Sequence, residues 1–245
     1  MRVPAALLCV PPLAAQALAP AQSPPAPGIP SLSQAEELLA RVDRLRHPWP
    51  AFTVELTVAS GRAAQRWRVA ARANGDARLD GLSDKEKGRA VLMRGDEMWL
   101  LLPGTKHPLK VTPQQRLLGP AAGGDVARTR FREDYRVEDV TGDTREGRPC
   151  WRLDLAARRP ALSARTVRLW VAREGGMPVM ATFHLASGKL ARTARFDPPA
   201  QASGRPVLSR MELTEPDGSA ATLSFSHWHP GTLDAALFEL PGEMP

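Results

Sequence analysis

Two histidines stand two residues apart near the end of the chain, in "SFSHWHP": His227 and His229. Alternate residues of a strand share a face, and a pair so placed is a common start to a metal site. Counting in twos from Leu223 and Phe225 puts both histidines on the face of those apolar residues. A metal needs a further donor, however; His47, His107 and His184 are scattered, and no HExxH or CxxC motif occurs. A hydrogen-bonded position at the rim of a sheet is the ordinary alternative. Cys150 lies in "RPCWRLDL" with no histidine nearby in sequence, which reads as a buried, inert thiol rather than a nucleophile. The acid pairs Glu36-Glu37, Glu133-Asp134 and Glu138-Asp139 fall at a helix start or in loops, where solvation accounts for them. With no G-x-S-x-G elbow and no phosphate-binding loop, no reaction is specified. No catalytic residue, no metal and no cofactor is expected.

The elements that could position a non-catalytic site are clearer. In "SLSQAEELLARVDRLRHP", Ser33 and Glu36 read as a capping box. Ala35, Leu38, Leu39, Val42 and Leu45 then recur at helical spacing, and Pro48 ends the run. From Ala51 the period becomes two, with Phe52, Val54, Leu56 and Val58 on one side, then Trp67, Val69 and Ala71 alternating with arginines. Further strands are expected near 76–82, 89–94, 97–102, 108–112, 135–141, 149–156, 165–172, 178–186, 189–196, 206–215 and 220–228, separated by turn residues. Residues 113–134 break the pattern as an insertion, and "TLDAALFEL" reads as a helical turn capped by Thr232. The fold class is therefore mostly β with a helical lid (α+β): one large, curved antiparallel sheet, an incomplete barrel, covered by an N-terminal amphipathic helix and shorter helical pieces. In "EMWLLLPG", Met98, Leu100 and Leu102 alternate with Trp99 and Leu101, so this strand is apolar on both faces. Either one face borders a space between sheet and helix, or the strand is simply buried on both sides.

The first residues, "MRVPAALLCVPPLAAQALA", have the order of a secretory leader with cleavage near Ala17, too short and proline-broken to span a membrane. Residues 18–30 are a Pro/Ala-rich linker and 31–245 form one domain. Cleavage would leave Cys150 alone, so no internal disulfide forms. Of 245 residues 24% are charged and the net charge is +7. The arginines are dispersed and not interleaved with Tyr or Phe, which excludes a nucleic-acid partner and leaves transient contact with an anionic membrane surface open.

Three stretches together, "AEELLARVDRLRHP", "KGRAVLMRGDEMWLLLPGTKHPLKVTPQQRLLGPAAGGDVARTRFREDYRVEDV" and "DAALFEL", resemble the periplasmic outer-membrane lipoprotein-sorting (LolA-like) proteins over about residues 31–240. The resemblance implies an unclosed barrel with a lid and a hydrophobic cavity for acyl chains. It also implies an acylated lipoprotein or lipid as cargo, an inner-membrane transporter as donor and an outer-membrane acceptor. A monomeric carrier is expected. Carriers of this kind bond the lid shut with a barrel arginine; Arg66 and Arg68 lie on a suitable strand, and neither is assigned that role. The expected lid face is Leu38, Leu39, Val42 and Leu45, and the expected cavity wall is Trp67, Trp99, Leu101, Trp170, Phe183 and Phe225; plain core packing would use the same residue types. Burying a 16-carbon chain is worth on the order of 10 kcal/mol as an upper bound, so a carrier needs both a greasy cavity and a lid that competes with cargo. The alternative is an adaptor subunit of an envelope exporter, with the same fold, a packed core and no lipid pocket.

Overall fold

The computed structural model describes residues 28–105, 107–112 and 129–241. The expected leader, most of the linker and residues 113–128 of the insertion lie outside them.

The first helix, α1 (Leu32–Arg46), starts two residues earlier than the Ser33/Glu36 box predicts. Ser31 is the cap: its hydroxyl accepts from Gln34 N, and the Gln34 side chain accepts from Ser31 N. Either pair satisfies the sequence rule for a capping box, and the apolar run already begins to face the sheet at Ala35, which fixes the earlier register.

Thirteen strands then form one antiparallel sheet that is not closed into a barrel. Six come before the insertion: β1 (Ala51–Ser60), β2 (Ala63–Arg72), β3 (Ala77–Gly81), β4 (Ala90–Arg94), β5 (Glu97–Leu101) and the short β6 (Leu109–Lys110). The insertion ends in a single helical turn, α2 (Phe131–Asp134), and after it come β7 (Tyr135–Arg145), β8 (Arg148–Ala157), β9 (Thr166–Ala172), β10 (Pro178–His184) and β11 (Leu190–Phe196). A small hairpin, β12 (Ala200–Ala202) with β13 (Arg205–Val207), precedes β14 (Arg210–Thr214) and β15 (Ala220–Pro230). The spatial order is β6-β5-β4-β3-β2-β1-β15-β14-β11-β10-β9-β8-β7, so the chain's last strand pairs with its first and the two halves meet at β1/β15. A 3-10 turn (Ala235–Phe238) follows, capped by Asp234 rather than Thr232, because the Asp234 carboxylate accepts from Ala236 N.

Each strand step adds roughly 20–25° of twist, and across so many strands the accumulated twist rolls the sheet into a trough. Its concave face carries the main core: Phe52, Val54 and Leu56 of β1, Leu153 and Leu155 of β8, Leu169 of β9, Met211 of β14 and others, all buried. Across the trough lies α1, with Ala35, Leu39 and Val42 wholly buried against that cluster. Among the described residues no helix is long and apolar enough to cross a membrane.

Candidate functional site: a cleft under the N-terminal helix

Helical spacing puts Ala35, Leu39, Val42 and Arg46 on one stripe of α1, and the structure turns that stripe onto the concave sheet. Leu38 is half-buried against the same cluster, and Leu45 is buried with its carbonyl accepting from Leu208 N at 2.7 Å. At the C-terminal end of α1 the packing opens into a cleft. Arg46 and His47 form its lid side; Phe52, Val54, Leu56, Val69, Ala71, Ala77, Leu79, Met93, Phe225 and Trp228 form its wall. The cavity proper is about 40 Å³, enough for a water or two and far below the 300 Å³ or more of ordinary small-molecule sites. The packing leaves no room there for a larger molecule.

How α1 is held down therefore matters. Asp43 projects from α1 to the first turn of α2, where one carboxylate oxygen accepts from Phe131 N at 2.8 Å and the other from Arg132 N at 2.9 Å. Burial strips water from this carboxylate and pushes its pKa from the ordinary 3.8 up to about 6. The two amide bonds and the Arg46 charge pull the other way, and Asp134 adds to the rise. The Arg46 guanidinium sits 5.3 Å from the Phe131 ring centre, a cation–π distance. Farther along α1, Glu36 pairs with Arg158 at 3.1 Å. At the β9–β10 turn Gly176 has φ +66°, and a Cβ there would come within 3.1 Å of the Arg41 side chain and 3.4 Å of Leu38; a residue without a side chain lets the helix seat this low.

The α2 turn is in turn clasped to the opposite side of the trough. Arg159, just past β8, pairs with Asp134 of α2 at 2.6 Å and with Asp96 in the β4–β5 turn. Arg130 reaches the carbonyls of Arg72 (2.8 Å) and Ala73 at the β2–β3 turn. These contacts tie the two ends of the open sheet together beside the lid.

A family model described as that of an uncharacterized protein matches residues 82–241, and the chain belongs to that family. The LolA superfamily protein of Nitrosomonas europaea shares the fold with a TM-score of 0.73 and 25% identity, over 84% of this chain and 97% of that one. A domain from Vibrio parahaemolyticus, described as an outer membrane lipoprotein-sorting protein, does so with a TM-score of 0.69 and 16% identity over 85% and 97%. The protein is LolA-like. None of the curated proteins compared with it matches its sequence.

In this LolA-like protein the six residues expected along the wall divide between two faces. Trp67 and Phe183 are buried in the concave cluster, and Phe225 packs against it and lines the cleft. Trp99 and Leu101 point the other way. They lie on the convex face with Ala70 and Leu92, beneath Phe238, Leu233, Leu237 and Leu240 of the C-terminal segment. Trp170 is also convex, packed with Cys150 and Val179, its indole N–H donating to Asp143 at 2.7 Å. That bond, together with the Thr144 amide, holds the Asp143 carboxyl below the usual carboxylate range. Met98, one residue before Trp99, is the partner that faces the concave core. The strand that reads as apolar on both sides faces the concave core on one side and the C-terminal segment on the other. Neither Arg66 nor Arg68 approaches α1; Arg66 pairs with Glu55 at 3.1 Å on an exposed surface.

The histidine pair is displaced for a local reason. The β1–β15 register slips between Thr53 and Glu55, and opposite the slip His227 takes φ +53°. This bulge inverts the alternation: Trp228 turns inward, 8% exposed and 5.3 Å from Phe52, while His227 and His229 turn out to solvent. Among the described residues no three His, Cys, Asp or Glu side chains gather as a metal site. Of the residues that line the cleft only Phe225 was expected in its wall; Trp228 and Arg46 are two that counting missed. A bulge leaves no reliable mark in sequence, but Arg46 was findable, since it continues the stripe of Ala35, Leu39 and Val42.

Proposed function

We propose that this LolA-like protein is a periplasmic carrier that shields the acyl chains of lipoproteins or lipids, without catalysing a reaction, and moves them between the inner and outer membranes. In this reading the leader is removed near Ala17, an inner-membrane transporter loads the cargo and an outer-membrane protein receives it. The observation that carries the proposal is an amphipathic helix lying over the concave face of an open sheet with an apolar cleft beneath its end. Its likeness to the Nitrosomonas and Vibrio proteins supports the same reading. A lid that packs on the wall competes with cargo for one apolar surface, so net affinity is lower than burial of the chain alone would give and release becomes possible.

The small cavity favours a second reading, an adaptor of an envelope exporter whose core is simply packed. One experiment separates the two. The protein is expressed to the periplasm, purified gently, extracted for lipid mass spectrometry and titrated with a fluorescent acyl probe. A carrier brings stoichiometric acyl lipid with it or takes up the probe saturably. Val69→Trp, which fills the cleft at an overpacking cost of about 1–3 kcal/mol, abolishes uptake while circular dichroism stays unchanged. No lipid and no uptake in the wild type would leave the adaptor.

A further inference from the structure

The cleft is not uniformly greasy. Ten of its twelve lining residues are apolar; the other two are Arg46 and His47, side by side at the end of α1, and Arg46 alone bears a permanent charge. Arg46 is only 4% exposed, and a guanidinium cannot shed its proton to escape burial. Holding such a charge among Phe52, Val54 and Trp228 is costly. The C-terminus of α1 offsets part of that cost through its backbone carbonyls. Asp43, one turn earlier, and the Phe131 ring 5.3 Å away offset a further part.

A cavity wall of this kind distinguishes ligands by their ends. Any aliphatic chain gains from the sheet side, but only a chain ending in an anion also meets the fixed cation, in a medium where charge-assisted hydrogen bonds are strong. Building on the carrier reading above, we infer that the cleft selects single acyl chains terminating in a negatively charged group, a carboxylate or phosphate ester, with Arg46 holding the anion. A neutral N-acyl or ester end is the poorer ligand. The shared chemistry is an alkyl chain with an anionic terminus, and its source is either a free fatty acid or the head group of a lysophospholipid.

The full protein is loaded with Nile red, a neutral apolar dye, at pH 8, and displaced in parallel with dodecanoate, dodecanol, lysophosphatidylglycerol, lysophosphatidylcholine and inorganic phosphate. Dodecanoate should displace the dye at a concentration about tenfold below that of dodecanol, the scale of one charge-assisted hydrogen bond. If phospholipid is the source, lysophosphatidylglycerol should show the same advantage over its zwitterionic counterpart. Arg46→Met should bring acid and alcohol to within about threefold of each other, and Arg46→Lys should keep most of the preference. Acid and alcohol displacing equally in the wild type would overturn the inference and leave the carrier standing; this comparison needs no variant to fold. Displacement by inorganic phosphate alone would also overturn it, since the chain would then play no part. If nothing displaces the dye, or the dye never binds, the carrier reading fails together with it.

Discussion

The two faces of the β2–β5 region are both apolar, one turned to the cleft at the end of α1 and the other lying under the C-terminal segment, yet they are built for different ends. On the convex side Phe238 is 3% exposed over Ala70, Leu92 and Trp99. The segment that carries it is tied by permanent bonds: Arg72 donates to Leu233 O at 2.7 Å and stacks 4.2 Å from the Phe238 ring, and Arg78 donates to Leu237 O. Both of these bonds end on backbone carbonyls. On the concave side α1 is held through Asp43, a carboxylate whose bonds respond to pH, and through the Glu36–Arg158 ion pair, which salt weakens, and a cleft lies at its end. The difference suggests that covering an apolar strand is not in itself a sign of a lid. What distinguishes a lid is an attachment weak or switchable enough to be exchanged for cargo.

The comparison is most severely tested at Phe238. Phe238→Ala should cost about 3 kcal/mol in thermal or urea unfolding, as a large-to-small change under a tightly packed strap does. Acyl-probe uptake, measured below the new Tm, should stay as it was; a parallel loss of uptake would mean that the two faces do not act separately. Next comes Asp43. It titrates at 3.8 when unfolded and about 6 when folded, so the folded state binds its proton more tightly. The stability it contributes is fully present below about 3.8 and is lost as pH rises through 6. The swing is about 2 kcal/mol after discounting for residual solvent access. Asp43→Asn removes the titration, so the wild-type Tm should decline relative to the variant between pH 5 and pH 7.5. A constant gap over that range would detach the latch from this carboxyl. The smallest effect is expected at Arg159→Met, which unpairs Asp134 and Asp96 across the mouth of the trough. These are partly exposed ion pairs, worth about 1 kcal/mol together. Dye entry should nonetheless become faster than in the wild type at low salt, and the difference should shrink at high salt, where screening already weakens these pairs. An unchanged entry rate would show that the clasp shapes the fold and not the gate.

Much of the architecture is legible one residue at a time. Strand positions follow from alternation and from turn residues, which is why β3, β4, β5, β8 and β9 fall within about two residues of the expected bounds, the usual uncertainty at element ends. The sheet-facing stripe of α1 follows from helical spacing, with Leu39, Val42 and Leu45 buried and Leu38 partly so. The wall is another matter. Alternation says that Trp67 shares a face with Val69 and that Trp99 shares one with Leu101, but it has no sign. The concave side is decided by the direction in which the whole sheet curls and by what each end of the chain lies on.

The sequence by itself therefore determined the periods: a 3.6-residue stripe that makes α1 amphipathic, and two-residue alternation that makes a long antiparallel sheet. These are local properties, set by side-chain geometry within a few residues. Tertiary structure alone decided that Trp99, Leu101 and Trp170 face away from the cleft, that a bulge at His227 swings Trp228 into it, and that Arg46 ends as a buried cation in an apolar wall. Each depends on a residue far away in sequence, because curvature and enclosure arise only when distant strands pair and the helix comes down on them.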